Sequence, residues 1–401
     1  MYIERGITKE FEAAARTNSI VAIVGPRQAG KTTFLKERSA ASSIAYLFFD
    51  DPDVKGMFDE DIKKFENQYL QGGSVVLDEV QYGKNPGPKL KYLADSGKRL
   101  WITSSSEIIM GSEVLSWLVG RVAIIRLYQF SLEEFLAAKG YRSVTETMLS
   151  RSIDEHITYG GYPKVVLEGD NQGKELLLKN LYETMVLKDI SRTFSIEDSA
   201  SLERLAVYLS HSIGNVLQYN SVCSDVGLSF PSLKKYLDAM EKSYMVVLVK
   251  PFYRNRLKEI TKQPKLYFLD TGLRNAVAND FRTSAELRGR IFENYVLSEL
   301  IKAEKKVMYW HTKGKAEVDF VVEEGSEAIP IEVKVKSPGE AVSAGMRSFI
   351  ETYKPKCAFI VYKEGEDAVT DVDGCRLRYA NVRALISELK KGQAQGVGEP
   401  R

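Results

Sequence analysis

The sequence predicts a multidomain α/β protein whose N-terminal part is a parallel sheet flanked by helices. Its 401 residues, 44% of them hydrophobic, exceed what one compact core accommodates. Short apolar runs alternate with helix-like segments, and a glycine-rich loop follows the first run directly. This alternation is typical of a parallel α/β sheet. The apolar runs cover residues 20–24, 44–49, 74–77, 99–103 and 122–127.

Four further segments follow the first domain, which we place at residues 1–145. Residues 146–211 have a helical pattern, and residues 212–274 are predicted as a helix-turn-helix followed by a strand hairpin. Residues 275–390 are predicted as a second α/β unit, in which a helix precedes β-rich runs. The last segment, 391–401, has almost nothing to bury, so we expect a mobile tail.

The balance of charges excludes a strong global attraction to nucleic acid or membranes. Lys and Arg number 56 against 54 Asp and Glu, for a formal net charge of +2, so any basic binding site must be local. The cysteines, Cys223, Cys357 and Cys375, show no CxxC spacing, which argues against a zinc site and against disulfides. The sequence shows no signal-peptide pattern and no long uncharged run. We therefore expect a cytoplasmic protein without a membrane partner.

The glycine-rich loop carries the pattern of a phosphate-binding loop. Residues 25–32 read GPRQAGKT and match GxxxxGK[ST] between a predicted strand and a predicted helix. In this arrangement backbone amides donate to phosphate oxygens, Lys31 reaches the β- and γ-phosphates, and the Thr32 hydroxyl holds Mg²⁺. The sequence therefore predicts ATP and Mg²⁺ as cofactors. The residues predicted to bind them are Gly25, Pro26, Arg27, Gln28, Ala29, Gly30, Lys31, Thr32, Thr33 and Asp78.

Two adjacent carboxylates follow the apolar run at 74–77. Asp78 stands at the end of that predicted strand, where ligands bind in open α/β sheets, and is predicted to complete the Mg²⁺ shell. Glu79 is predicted to polarise the attacking water, and the alternative is a solvated loop carboxylate. Residues 103–106, TSSS, end the next predicted strand and place hydroxyls where a γ-phosphate or a water could be sensed. A serine-rich turn explains the same letters.

A single arginine offers a further catalytic role. Arg121 follows Gly120 just before the apolar run at 122–127. From a subunit edge its guanidinium could stabilise charge on a neighbour's γ-phosphate, as an arginine finger does. The alternative is a surface or ion-paired arginine. If Arg121 acts in trans, the active form is a homo-oligomer.

Several stretches together resemble one family. They are GPRQAGKTT at 25–33, LDEVQ at 77–81, Gly120-Arg121 and YGGYP at 159–163. Over nearly its whole length the chain resembles the prokaryotic AAA-type ATPases that carry a C-terminal domain of unknown function related to the PD-(D/E)XK nucleases. The resemblance implies an AAA-type P-loop core, a helical lid, a winged helix and a restriction-endonuclease-like α/β domain, in that order. Ser104 departs from the glycine usual in the sensor turn of such sequences.

The helix-turn-helix segment is a candidate DNA-binding element. Residues 221–241 read as two helices joined by a turn around Gly227, and a basic stretch at 250–265 reads as a wing. Outward-facing polar and basic side chains on the second helix and the wing would contact DNA bases and phosphates. The alternative is a lid or a protein-docking module. The residues predicted to contact DNA are Ser232, Lys234, Lys235, Arg254 and Arg256.

A second candidate site lies in the C-terminal α/β unit. Asp319 is predicted on one strand and Glu332 and Lys334 on the next, and residues two apart on a strand share a face. Two carboxylates from adjacent strands, here Asp319 and Glu332, can bind Mg²⁺, and a nearby lysine can orient water for attack on a phosphodiester. This is the D-x(n)-E-x-K core of the PD-(D/E)XK pattern, and Glu293, in the preceding helix, resembles the extra acidic residue of such nucleases. The alternatives are a solvated sheet face and a site that binds DNA without cleaving it.

Three functions stay open on the sequence alone. The first is a DNA-directed ATPase, in which ATP hydrolysis drives rearrangement and the C-terminal unit binds or cuts DNA. The second is an ATP-gated switch for assembly with a protein partner, with a non-catalytic C-terminal unit. The third is a metal-dependent nuclease that the ATPase regulates. Glu79 favours hydrolysis in all three, because a pure binder has little use for a water-polarising carboxylate.

Overall fold

The computed structural model divides the chain into two compact units. The first comprises residues 1–130 and 242–244, and the second comprises residues 131–241 and 245–401. The finer subdivision of the second unit into lid, winged helix and C-terminal domain stays a prediction. The structure describes residues 2–40, 44–105, 112–141, 143–185, 190–253, 262–282, 287–312, 316–336 and 342–396.

The first unit is built on a five-stranded sheet. Every pairing between neighbouring strands is parallel, as predicted. The strands are β1 (Ile20–Val24), β2 (Ala45–Phe48), β3 (Ser74–Asp78), β4 (Arg99–Ser104) and β5 (Val122–Arg126), in the order β2-β3-β4-β1-β5. The helices around them are Thr8–Thr17, Lys31–Ala40, Pro52–Glu60, Ile62–Tyr69, Pro86–Asp95 and Ser112–Leu118, with a 3-10 helix at Val80–Tyr82.

The central strand β1 is buried along its whole length. Ile20 and Ala22 belong to one hydrophobic cluster, and Val21 and Ile23 belong to another, so both faces of the sheet are covered. At the end of β1, Val24 is paired with Ser104 of β4 and Arg126 of β5. The carboxyl ends of these parallel strands therefore meet at one edge of the sheet, where ligands bind in open α/β folds.

A pair of helices and a hairpin follow, at the positions predicted for them. Gly227 ends the first of these helices with φ of 77°, a conformation that glycine adopts at little cost. Val222 of the first helix and Leu233 of the second are buried and belong to the same hydrophobic core. The two helices are Tyr219–Val226 and Phe230–Lys242, and the antiparallel hairpin is β6 (Val246–Val249) with β7 (Lys265–Phe268).

The YGGYP stretch forms a buried junction within the second unit. The Gly161 N–H donates to Asp270 Oδ2 at 2.8 Å, and the Asp270 side chain also caps the helix Thr271–Val277. Gly272, second in that helix, lies so close to Tyr159 that a Cβ would meet the Tyr159 carbonyl carbon and oxygen at 2.2 Å. The junction therefore requires a residue without a side chain at that position.

The C-terminal part of the second unit is a six-stranded mixed sheet. Three strands form an antiparallel meander, a helix crosses over, and the next strand pairs parallel to the last of the three. The strands are β8 (Val307–His311), β9 (Glu317–Glu324), β10 (Glu327–Lys336), β11 (Cys357–Glu364), β12 (Ala368–Val372) and β13 (Cys375–Asn381), in the order β12-β13-β11-β10-β9-β8. The other helices after residue 130 are Leu132–Ala138, Glu146–Tyr159, Pro163–Val166, Asn171–Thr184, Ser191–Thr193, Ser199–His211, Arg288–Lys302, Ala344–Tyr353 and Val382–Gly396.

The predicted mobile tail begins at residue 391. The last helix, Val382–Gly396, continues past that position. Val382, Leu385 and Leu389 are buried at helical spacing, and this apolar face holds the helix against the sheet. The remaining tail residues, 397–401, lie outside the described residues. Among the helices that the structure describes, none has the length and apolar composition needed to cross a membrane.

Gly272→Ala is expected to destabilise the second unit, because the added Cβ would overlap backbone atoms of Tyr159. Overpacking of this kind costs about 1–3 kcal/mol or more. The matched control is Gly289→Ala, at the second position of the helix Arg288–Lys302, where a Cβ meets nothing within 4 Å. This control should be neutral or stabilising by up to ~1 kcal/mol. Urea denaturation followed by circular dichroism measures both, and equal midpoints for the two variants would contradict the role of the junction.

Candidate functional site

The glycine-rich loop joins β1 to the helix Lys31–Ala40 through residues with positive φ. Gly25, Gln28 and Gly30 have φ of 152°, 60° and 98°. At Gly25 a Cβ would meet the Leu127 carbonyl oxygen at 2.1 Å, so only glycine fits there. The loop leads into the start of a helix, where free backbone amides and the helix dipole favour an anion.

Lys31 lies inside this loop. Its side chain is buried, and Nζ donates to the carbonyl oxygens of Gly25 and Pro26, each at 2.9 Å. The loop's own backbone thus holds the ammonium next to the amides that the sequence pattern assigns to phosphate. Because an ammonium has three donor hydrogens, it can exchange carbonyl partners for phosphate oxygens.

Asp78 ends β3 with both carboxylate oxygens hydrogen-bonded. It is 0% exposed. The Tyr46 hydroxyl donates to Oδ2 at 2.5 Å, and the Thr103 hydroxyl donates to Oδ1. Thr103 Oγ1 also accepts the Glu79 N–H at 2.8 Å. The network fixes Asp78 and the backbone of Glu79 together at the edge of the sheet that carries the loop.

Sequence reasoning missed Tyr46. Burial, and then the Asp78 carboxylate, raise the pKa of its hydroxyl, whereas a hydrogen bond with the Thr32 side chain lowers that pKa. Tyr46 therefore contacts both residues predicted to hold Mg²⁺ in this unit. No sequence pattern marks it, because only the parallel pairing of β2 with β3 brings it to Asp78.

Glu79 has an unusual backbone and a specific side-chain partner. Its φ is 56°, in the left-handed region, where a residue with a side chain is strained by about 1–3 kcal/mol. Gln81 Nε2 donates to Glu79 Oε2 and, at 3.1 Å, to Ser105 Oγ. Glu79 is half-buried and held by Gln81, which differs from a solvated loop carboxylate. Gln81 belongs to the LDEVQ stretch, where spacing alone assigned it no role.

The TSSS stretch forms hydrogen bonds to the residues around Asp78 and Glu79, and its sensing role stays a prediction. The Thr103 hydroxyl is buried and serves Asp78 and the Glu79 backbone, so it orients the carboxylates. Ser104 is also buried, and Ser105 accepts the bond from Gln81. Ser106 lies outside the described residues.

Arg121 lies at the other end of the sheet from the loop of its own chain. It comes directly before β5, and its carbonyl accepts the N–H of Ile20, the first residue of β1. Arg121 Nε forms an ion pair with Asp95 Oδ1 at 2.7 Å. By contrast, Arg126 ends β5 beside Val24 and lies on the loop's edge. Sequence reasoning did not single out Arg126. Arg121 can therefore serve as an arginine finger only for a nucleotide bound by a neighbouring copy of the chain.

The predicted DNA-contacting residues of the second helix are mostly exposed. The Ser232 hydroxyl is 2.8 Å from the Ser229 hydroxyl, and Lys235 Nζ donates to the Ser195 carbonyl at 2.8 Å. Lys234 lies over the exposed ring of Phe230, with Nζ 4.8 Å from the ring centroid. Arg254 and Arg256 lie outside the described residues, so the wing prediction stays a prediction.

Asp319, Glu332 and Lys334 come together at the junction of β9 and β10. Asp319 Oδ2 accepts the Val333 N–H at 2.7 Å. Glu332 is buried, and its oxygens bind Lys334 Nζ at 2.8 Å and the Ser343 hydroxyl at 2.6 Å. Lys334 is exposed, as expected for the outer end of the same strand face. The structure thus brings together the three residues of the sequence pattern, and their role as a site stays a prediction.

Glu293 joins the same cluster through residues that the sequence did not single out. The Tyr267 hydroxyl donates to Glu293 Oε1, and Lys265 Nζ lies 3.7 Å from that oxygen. Lys265 also forms an ion pair with Glu317, and it is only 4% exposed. Lys265 is the last residue of the stretch predicted as a basic wing, but β7 turns its side chain inward to the carboxylates. Only the pairing of distant segments reveals this contact.

The carboxylates of the cluster repel one another. Burial, and then the Glu293 carboxylate, raise the pKa of Asp319 to about 7, although the Val333 N–H, Lys265 and Lys334 act in the opposite direction. Burial lowers the pKa of Lys265, but Glu293 and Glu317 outweigh it, so the net shift of that pKa is upward. The two lysines therefore stay charged while Asp319 is poised between its two forms near neutral pH.

Each candidate metal site offers few side chains that could act as ligands. In the part of the chain that the structure describes, no three or more His, Cys, Asp or Glu side chains are arranged to hold a metal ion. Thr32 with Asp78 and Asp319 with Glu332 each offer only two oxygen-bearing side chains. Such pairs fit Mg²⁺, which usually keeps several waters or takes phosphate oxygens as further ligands.

Asp319→Asn is expected to stabilise the second unit more at pH 8 than at pH 5. The folded state raises the pKa of Asp319 from its ordinary 3.8 to about 7, so ionisation costs folding free energy above pH 7. As the pH falls through 7 toward 4, Asp319 in the folded protein takes up a proton and this cost fades. Thermal melting from pH 5 to pH 8 measures the difference, with Glu366→Gln, at an exposed position, as control. A difference that is larger at pH 5 would contradict the assignment.

Three segments of the chain match known domain families. Residues 17–136 match an AAA domain. Residues 150–284 match a domain of unknown function, DUF8612, and residues 288–378 match another, DUF4143. The AAA match covers the parallel sheet, the glycine-rich loop and Asp78.

Relatives along most of the chain are uncharacterized proteins. One from Haemophilus influenzae is 25% identical over 341 residues, covering 80% of this chain and 84% of that protein. One from Mycobacterium tuberculosis is 25% identical over 375 residues, covering 90% of this chain and 80% of that protein. Among solved structures, the Walker-type ATPase PABY2304 of Pyrococcus abyssi is similar with a TM-score of 0.49 and 14% identity, over 69% of this chain and 96% of that one. The AAA-domain match, together with the parallel sheet and its loop, gives the chain a P-loop ATPase-like core.

Proposed function

We propose that this chain is a Mg²⁺-dependent ATPase that hydrolyses ATP to ADP and phosphate and couples the reaction to DNA binding. The observation that carries the proposal is the hydrogen-bonded Asp78, placed by β3 at the sheet edge that carries Lys31. A binding loop alone would not need a buried carboxylate held by two hydroxyl groups and followed by a strained glutamate.

The residues of the first unit fit ATP and Mg²⁺ by their chemistry. Thr32 and Asp78 would hold Mg²⁺, whose positive charge would offset the negative charge that develops on the phosphate. Lys31 would leave the carbonyl oxygens of Gly25 and Pro26 to bind the phosphates. Gln81 orients Glu79, which would accept a hydrogen bond from the attacking water. The strain at Glu79 supports a functional role, because strained backbone conformations cluster at functional sites.

Arg121 belongs to the proposal only as a residue that acts in trans. Its place at the far end of β5 keeps it from the loop of its own chain. Its ion pair with Asp95 is partly exposed and so costs little to exchange for another anion. A neighbouring copy in a homo-oligomer would supply that anion as a γ-phosphate.

The DNA-binding part of the proposal rests on the second unit. The helix pair and the β6–β7 hairpin have the order of a winged helix, and Lys234 and Lys235 are exposed on its second helix. Asp319, Glu332 and Lys334 meet on adjacent strands, which supports the D-x(n)-E-x-K interpretation. Asp319 and Glu332 would hold Mg²⁺ there. Cleavage of DNA is the further possibility that this arrangement raises.

A second candidate function is an ATP-gated switch that acts on a protein partner. Lys265 favours it, because this buried ammonium already pairs with Glu293 and Glu317 inside the cluster. Carboxylates that are paired with a buried lysine in this way can be structural. In that case the C-terminal unit would be a non-catalytic docking module.

Lys31→Ala is expected to abolish ATP binding, and Glu79→Gln to preserve binding while lowering turnover about 10²–10⁴-fold, the range for loss of a general base. Equilibrium binding of a fluorescent ATP analogue and steady-state phosphate release separate the two effects. Lys9→Ala and Glu37→Gln, at exposed positions in neighbouring helices, are the matched controls. Full turnover in Lys31→Ala would overturn the ATPase assignment, and full turnover in Glu79→Gln would remove Glu79 from the reaction.

The second unit is tested with single-stranded, duplex and branched DNA in Mg²⁺ or Mn²⁺, with and without ATP. Binding that weakens steeply with salt is expected, because Lys contacts to phosphate release counterions. Cleavage that is lost in Asp319→Ala and kept in the exposed control Glu366→Ala would establish a nuclease. Binding without cleavage would assign the cluster a DNA-holding role. Neither binding nor cleavage would favour the switch that acts on a protein partner.

A further inference from the structure

Arg5 lies ahead of the residues that match the AAA domain, yet it reaches the glycine-rich loop. It is 5% exposed. Its guanidinium donates from Nη1 to the Ala29 carbonyl at 2.8 Å and from Nη2 to the Tyr128 carbonyl at 2.7 Å. The same group lies 4.8 Å from the ring centroid of Phe130. A planar guanidinium that is buried and bonded at two nitrogens is held in one orientation.

The first of these bonds controls the direction of a loop amide. Ala29 stands between Gln28 and Gly30, whose φ values of 60° and 98° make the loop curl. Because the peptide unit is planar and trans, the Ala29 carbonyl and the Gly30 N–H point in opposite directions. Arg5 on the carbonyl therefore turns the Gly30 N–H away from itself. Gly30 is the second glycine of GxxxxGK[ST], where backbone N–H groups cradle the phosphates.

The second bond ties the loop to the strand beside it. Tyr128 follows β5, and the preceding residue, Leu127, donates its N–H to the Val24 carbonyl at 2.8 Å. Gly25, at the start of the loop, already packs against the Leu127 carbonyl. The segment 127–128 thus contacts the start of the loop directly and holds its Ala29 end through Arg5.

We propose that Arg5 is a positioning residue for nucleotide binding, which sets the loop amides for phosphate by holding the Ala29 and Tyr128 carbonyls together. The inference rests on the ATP binding proposed above. This positioning requires the planar, forked guanidinium of arginine, which can donate to two carbonyl oxygens at once. A lysine ammonium at the same place is a point charge and lacks this planar fork. A purely structural Arg5 would change stability without changing the affinity of the folded protein for nucleotide.

The test measures the Kd of a fluorescent ATP analogue with Mg²⁺ for wild type, Arg5→Ala and Arg5→Lys, each at a temperature below its melting transition. Arg5→Ala is expected to raise Kd at least about tenfold, or ~1.4 kcal/mol. Arg5→Lys should give a smaller increase. Millimolar guanidinium ion should restore part of the affinity of Arg5→Ala and none of that of Lys31→Ala. Arg16→Ala, an exposed arginine of the helix Thr8–Thr17, is the matched control and should bind like wild type.

An unchanged Kd in folded Arg5→Ala would overturn the inference. If Arg5→Ala does not fold, the Kd of Arg5→Lys is used instead. A Kd of Arg5→Lys equal to that of wild type would then overturn the inference. Recovery of Arg5→Ala by guanidinium supports positioning, because a free ion can replace the fork and cannot repair a general loss of stability. Wild-type protein that does not bind the analogue overturns the proposed ATPase function itself, which is a distinct result.

Discussion

The parallel pairing of β1 with β4 and β5, and of β3 with β4, brings four strand ends to one edge of a sheet. The nucleotide site is assembled at that edge from pieces far apart in the chain. Lys31 follows β1, Asp78 ends β3, and Thr103 lies in β4. The Thr103 hydroxyl joins Asp78 to the Glu79 backbone, so the positions of these two carboxylates depend on the register of the strands. A slip of one residue would turn the side chains of a strand to its other face.

Charge balance is the corresponding constraint in the second unit. Glu293, Glu317, Asp319 and Glu332 face Lys265 and Lys334, so the carboxylates outnumber the lysines. Burial, and then the Glu293 carboxylate of this group, raise the pKa of Asp319 to about 7. A divalent cation would relieve it and would also allow a phosphate group to approach. Lys265 comes from β7, so the hairpin after the helix pair and the charge of the cluster are physically linked.

Local patterns in the sequence predict the parallel sheet, the loop, the helix pair and the meeting of Asp319 with Glu332 and Lys334, because each depends on short-range periodicity. Contacts across the fold are not predictable in this way. Tyr46 and Arg5 reach the nucleotide site from segments without a recognisable pattern. Lys265 is basic like its neighbours in sequence, and only tertiary pairing shows that it points inward. The helix past residue 391 is not predicted from the sequence, because its composition there is polar. The three buried apolar residues that hold the helix against the sheet all lie before that position.

The proposed function requires that this edge of the first unit hydrolyse ATP with Mg²⁺ and that the second unit respond to DNA. Steady-state phosphate release by the full chain, measured with Mg²⁺ or with EDTA and with or without duplex DNA, tests it most directly. Phosphate release is expected to require Mg²⁺ and to change in rate when DNA is added. Phosphate release that does not rise above the EDTA background would contradict hydrolysis, and a rate unaffected by any DNA would contradict the coupling.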